Sequence, residues 1–124
     1  MMNKYFGELS YSMGWKTKRD IKLFGNDYTI TIKIQAYEPT DSIPEVQEQA
    51  CREYTENEKE YLKSIENMML EFCDYAESRF SPRTLLFKVN GKCALLCDDA
   101  EDLDDGIAVE IIPEKNVTYQ NVYL

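Results

Sequence analysis

The densest run of reactive side chains is Asp98-Asp99-Ala100-Glu101-Asp102-Leu103-Asp104-Asp105-Gly106, six carboxylates within eight positions. Two chemistries use such a run. Hard cations take several carboxylate oxygens, so calcium is the first candidate. The EF-hand loop fails, because Gly106 at its sixth position puts Glu101 first, Leu103 third and Ile112 at the bidentate twelfth. General acid–base catalysis needs two carboxylates whose surroundings push their pKa values apart, and a hydrated loop does not supply that. The same objection applies to Glu56, Glu58 and Glu60. The run is therefore read as a solvated interstrand loop, and no metal, cofactor or catalytic residue is expected.

Other chemistries lack their parts. The chain contains no histidine, which removes Ser–His and Cys–His nucleophiles, and it has no glycine-rich phosphate loop. Of the four cysteines, Cys51 and Cys73 fall on apolar helix faces, and Cys93 and Cys97 share parity in a strand. None forms a CxxC pair, so reduced, buried thiols are expected rather than zinc ligands. Nine tyrosines are many for 124 residues. Tyr5, Tyr11, Tyr37, Tyr119 and Tyr123 lie near strand ends, where a ring brings area and a polar tip to a rim or an interface. Trp15 is read as a packing anchor. Lys16, Lys18, Arg19 and Lys22 form a basic group that is either a small binding patch or a solvated face complementing the acidic helices.

The charge is lopsided. Residues 1–37 carry six basic and three acidic side chains, residues 38–80 four and twelve, and residues 81–124 four and eight. Nucleic acid is excluded as a partner on this pattern, because phosphate binding depends on basic clusters. A basic protein is the expected partner. No apolar run approaches the roughly 18 residues of a membrane span, so a soluble, cytoplasmic protein with no membrane association is expected.

The elements that position these groups follow from periodicity. Ile43, Val46, Ala50, Cys51 and Tyr54 mark one helical face, and Tyr61, Leu62, Ile65, Met69, Phe72, Cys73 and Ala76 resume it. Two helices are predicted, roughly 44–54 and 56–78, with Thr55-Glu56-Asn57-Glu58 as a capping box between them and Asp41 or Ser42 capping the first. One kinked helix is the alternative, and Pro82 is the expected stop. Their outer face carries Glu45, Glu48, Glu53, Glu56, Glu60, Glu71 and Asp74. Strands are predicted at 5–9, 20–24, 28–36, 84–89, 92–98, 106–112 and from Val117 through Tyr119 towards Val122. Gly25-Asn26-Asp27 and Asn90-Gly91 form the hairpin turns. Tyr28 to Ala36 alternates apolar with polar residues, as a strand with one wet face does. The fold class is therefore α+β: an antiparallel sheet from an N-terminal three-strand unit and a C-terminal four-strand meander, packed on a central helix pair, in a single domain spanning 1–124.

Ile21-Lys22-Leu23-Phe24-Gly25, Ile43-Pro44-Glu45-Val46-Gln47, Gly106-Ile107-Ala108-Val109 and Gln120-Asn121-Val122-Tyr123-Leu124 together resemble a family of small bacterial domains of unknown function. That family is similar in size and style to the immunity proteins of bacterial toxin loci. The resemblance implies an α+β cytoplasmic protein. The leading functional expectation is a non-enzymatic acidic module, in its finer form an immunity-type inhibitor. It would meet a basic protein through Glu56, Glu60, Glu71, Asp74, Asp98, Asp99, Glu101, Asp102, Asp104 and Asp105. The alternatives are a structural homodimer seamed along the C-terminal strand and a carboxylate-based metal-binding protein.

Overall fold

The computed structural model describes all 124 residues. Two short pairs open the chain, β1 (Met2–Asn3) with β2 (Gly7–Glu8), and β3 (Ser10–Tyr11) with the first long strand. That strand is β4 (Trp15–Leu23), followed by β5 (Asn26–Ile34), α1 (Glu45–Glu56), α2 (Glu58–Phe72) and the single turn α3 (Ala76–Arg79). Next come β6 (Phe80–Phe87), β7 (Cys93–Asp99), β8 (Asp102–Ile112), β9 (Asn116–Tyr119) and the turn α4 (Gln120–Tyr123). The class is α+β. Strands β3 to β9 form one seven-stranded sheet in sequence order. Every pairing is antiparallel except β5–β6, which is parallel because the helical segment carries the chain back across the sheet. The three-strand and four-strand units expected from sequence are thus the two halves of one sheet.

One face of the sheet meets the helices. Ile21, Leu23, Ile30, Ile32, Ile34, Leu85, Phe87, Leu95, Ile107 and Val109 pack there with Ala50, Cys51, Tyr54, Ile65 and Met69 of α1 and α2. The other face carries only a small cluster, Leu86, Ala94, Leu96 and Ala108, roofed by Tyr123 of α4. All four cysteines are buried and unpaired, as expected.

Several boundaries differ from the periodicity reading, each for a local reason. Trp15 to Arg19 is strand rather than a polar segment, because Trp15 to Leu23 pairs residue for residue with Ile34 to Asn26. The predicted strand at 5–9 survives only as β2, since the Asn3 side chain accepts the amides of Tyr5 and Phe6 and turns the chain between them. The β4–β5 turn is Phe24-Gly25, with φ of +52° and +76°, the two positive values of a type I′ hairpin. Phe24 tolerates this because its amide donates to Glu66 of α2 at 2.8 Å. Thr55 does not cap α2. It lies inside α1 and donates back to the carbonyls of Cys51 and Arg52. Neither Asp41 nor Ser42 caps α1, whose N-cap is Pro44. The second helix ends at Phe72, where Cys73 turns extended, so Pro82 stops nothing and sits at a bulge in β6. Val122 belongs to a helical turn, not to the last strand.

Candidate functional site

The acidic run straddles the tight turn at the end of the β7–β8 ladder, and part of it leaves that ladder. Asp99 pairs with Asp102 across a tight turn, and Cys97 pairs with Ile107. Between these pairs β7 supplies Asp98 alone, while β8 supplies Leu103-Asp104-Asp105-Gly106. Such an excess bends the bulged strand out of the ladder, and the result is an arm of β8 beside a cleft. The cleft measures about 460 Å³ and is lined by Arg83, Asp98, Asp102, Asp104, Asp105 and Gln120 among others. Leu103, also in the cleft lining, is 92% exposed.

Two devices hold the arm. Gln120, only 8% exposed, donates its side-chain amide to the carbonyls of Cys97 at 2.7 Å and Ile107 at 3.3 Å, and accepts from Arg83 at 3.1 Å. It thereby satisfies ladder carbonyls at the irregularity, which buried polar groups require. Gly106 makes room for it, because a Cβ there would overlap both the Cys97 carbonyl oxygen and the Gln120 amide nitrogen. At the base of the arm Arg79 clamps Asp99 bidentately, with Nε and Nη2 at 2.9 and 3.0 Å from its oxygens. These hydrogen bonds, helped by the Glu101 amide and the Arg79 charge, hold the Asp99 carboxyl below its ordinary pKa against the opposing effect of burial.

The ten residues expected to meet a partner do not form one surface. Asp98, Asp102, Asp104 and Asp105 share the cleft, with Arg83 as its one cation, 3.0 Å from Asp98. Asp105 also accepts the Asn121 amide at 3.2 Å, and Asp102 accepts that of Asp104. Glu101 is exposed at the turn, 3.6 Å from Arg79. Asp99 departs from the expectation. It is buried and saturated by Arg79 and the Glu101 amide, so it anchors the arm and offers no charge outward. Glu56, Glu60, Glu71 and Asp74 are exposed on the helical segment, away from the cleft lining, and Glu56 is paired with Arg52 at 3.4 Å. No group of three or more carboxylates or thiols converges as a metal site would require.

The basic group divides by strand parity. Arg19 faces the helices and pairs bidentately with Glu58 at 2.7 and 3.0 Å, while Tyr54 donates its hydroxyl to the same carboxylate at 2.9 Å. Burial would raise the Glu58 pKa, but these hydrogen bonds and the Arg19 charge outweigh it and hold the carboxyl below the usual range. Lys22 pairs with Asp27. Lys16 and Lys18 face the opposite way, beside Lys33, over a groove of about 740 Å³ that also has Thr31, Thr84, Leu86 and Leu96 in its lining. Sequence reasoning missed this groove. The signal was Lys33, a lysine on the wet side of the best alternating strand.

Of the tyrosines, Tyr11 packs edge-on against Trp15 and Tyr119 edge-on against Phe72, whereas Tyr37 is exposed. Tyr123 lies under the Lys88 ammonium, 4.0 Å from its ring centre.

The chain belongs to the family described as Domain of unknown function (DUF6985), whose model matches residues 5–96. No curated protein and no solved structure matches it. The matched stretch holds the Arg19–Glu58 tie, helices α1 to α3 and the lysines of the groove. It ends at Leu96 inside β7, before the acidic arm and Gln120. No helix is long and apolar enough to cross a membrane.

Proposed function

We propose that this member of the family is a non-enzymatic protein-binding module of the cytoplasm, and that its acidic arm and cleft receive a basic protein surface. The observation that carries the reading is the makeup of the arm. Asp98, Asp102, Asp104 and Asp105 line one cleft with a single guanidinium among them, and Leu103 stands 92% exposed in their midst. A large exposed side chain ringed by charge is the composition of a contact surface, with an apolar anchor and a polar rim. The rigid base made by Arg79, Asp99 and Gln120 supports the same reading, because a preordered surface loses less entropy on binding. Four buried, unpaired thiols support a reducing compartment. The finer form of the proposal is an inhibitor that covers a basic functional surface of its partner.

Association with a lysine-rich peptide, followed by fluorescence anisotropy across a salt series, tests this. Charge steering makes association slow steeply as salt rises. Joint replacement of Asp102, Asp104 and Asp105 by Asn is expected to abolish most of that salt dependence while leaving the fold intact. Binding that ignores both salt and the three replacements overturns the proposal.

A further inference from the structure

The face of the sheet turned away from α1 and α2 carries two opposite hollows. One is the acidic cleft, which takes in the arm. The other is the lysine groove. Arg83 of β6 lines both, and α4 stands between them, with Gln120 and Asn121 on the acidic side and Leu124 on the basic side. Val122 and Leu124 of this ridge are 74% and 67% exposed.

The groove is short of negative charge. Lys16 and Lys33 lie directly opposite each other on β4 and β5, a like-charge pairing that weakens a sheet. Lys18 is two residues further along β4, its ammonium held 2.8 Å from the Thr31 hydroxyl. None of the three makes an ion pair, although most other cationic side chains of the chain do. Burial and the neighbouring Lys16 charge both pull Lys33 below its ordinary pKa, so an incoming carboxylate relieves a conflict that is already present. A protein with 23 acidic and 14 basic side chains has kept a cationic hollow on the same face as an anionic projection.

We propose that the Asp102–Asp105 arm of one copy docks in the Lys16–Lys18–Lys33 groove of a second copy, and the reverse, in a two-fold dimer through the sheet face turned away from α1 and α2. This rests on the reading of the arm as a docking surface and names its basic partner. The two patches lie at opposite corners of the face, four strands and about six residues apart. At about 4.8 Å per strand and about 3.3 Å per residue that is roughly 27 Å. A two-fold axis lying in the plane of the interface, across this diagonal, lays each patch on its complement. Such self-complementary pairing is the commonest closed assembly. Only five of the seven strands reach six residues, and α4 already caps the middle of the face, so the contact is made by the two patches and the α4 ridge. Two chains of charge −9 repel, but beyond about 8 Å that repulsion is screened at physiological ionic strength, and pairs formed at contact decide. The edge strand expected as a dimer seam is only the four residues of β9 and offers much less.

Sedimentation equilibrium on the full chain tests the dimer. The wild type is expected at twice its 14.5 kDa mass, dissociating as salt rises. Lys16→Glu/Lys18→Glu/Lys33→Glu and, separately, Asp102→Lys/Asp104→Lys/Asp105→Lys are each expected to be monomeric. An equimolar mixture of the two is expected to dimerise again, because one contact then pairs an acidic arm with a basic groove and the other pairs a basic arm with an acidic groove. The mixture also shows that both variants are folded. If either fails to fold, the corresponding Gln or Asn replacements are expected to weaken the dimer at least tenfold. A wild-type monomer at every concentration overturns the inference, as does a dimer that survives both sets of substitutions. If that monomer still binds the lysine-rich peptide through Asp102, Asp104 and Asp105, the proposed function stands and only the self-docking falls.

Discussion

Removing the Glu58 side chain is expected to be the most informative single perturbation of the fold. Its carboxylate accepts two hydrogen bonds from Arg19 and one from Tyr54, and it ties the start of α2 to the middle of β4. Tyr54 is fully buried, so Glu58→Ala strands its hydroxyl, at about 1–3 kcal/mol for an unsatisfied buried group. Arg19 loses a bidentate partner, but its side chain is 30% exposed and water recovers part of that loss. The upper range for a broken buried pair, about 3–5 kcal/mol, must therefore be discounted. We expect about 3 kcal/mol in total for Glu58→Ala, and about 1–2 kcal/mol for Glu58→Gln, which keeps the shape and an acceptor oxygen. For a domain of this length the larger loss lowers Tm by about 10 °C. The pH dependence has a definite sign. Because the folded pKa is depressed, the contribution is fully present above the unfolded value of about 4.3 and is lost as pH falls through the folded pKa. Urea denaturation of wild type and Glu58→Gln at a series of pH values measures the gap, and a double-mutant cycle with Arg19→Met isolates the pair. A gap below about 0.5 kcal/mol at pH 7, or one that stays constant into strong acid, refutes the reasoning.

Three further outcomes are expected. Gly106→Ala drives a methyl group into the Cys97 carbonyl and the Gln120 amide, and should cost about 2–4 kcal/mol in chemical denaturation; a neutral result means the arm is not locked by Gln120. Met13 is 81% exposed with φ of +55°, so Met13→Gly should stabilise by about 1 kcal/mol through release of left-handed strain, read as a higher urea midpoint. All four thiols are buried, and burial pushes Cys51 up to about 12 and Cys97 higher still. Ellman titration at pH 8 should therefore find no fast-reacting thiol in the native protein and four after unfolding.

Period-two and period-3.6 patterns made the sheet and the helix pair legible, because burial of one face enforces them. The Tyr28 to Ala36 alternation corresponds to β5, and the Ile43 to Tyr54 face to α1, except that Val46 is 49% exposed and Gln47 takes the buried position. Contacts distant in sequence were not legible. Thr55 and Glu58 fit a capping box, yet Arg19, 39 residues earlier, claims the Glu58 carboxylate. A hydrated acidic stretch between strands reads as a loop, but a bulge tolerates such residues where hairpin closure and Gln120 fix the ends. Asp99 looked like its neighbours, and only the placement of Arg79 distinguishes an anchor from a surface charge. The helix pair was correctly seen as an acidic outer layer. That the cationic residues left over would gather on the opposite face depends on β4–β5 register.

The single parallel pairing has a kinetic consequence. Each of the other long pairings is a hairpin between strands adjacent in sequence, which closes early at low entropic cost. The β5–β6 contact alone requires Ile34 to find Phe87 across the whole helical segment, and loop closure over that span must precede any reward from it. The protein is therefore two locally folding halves with one long-range latch. Truncating Ile32 or Leu85, which face each other across the latch, should both slow refolding and speed unfolding, whereas truncating Leu95, inside a hairpin already closed when the latch forms, should slow refolding alone. Stopped-flow chevrons of the three variants would locate the rate-limiting step on that one seam.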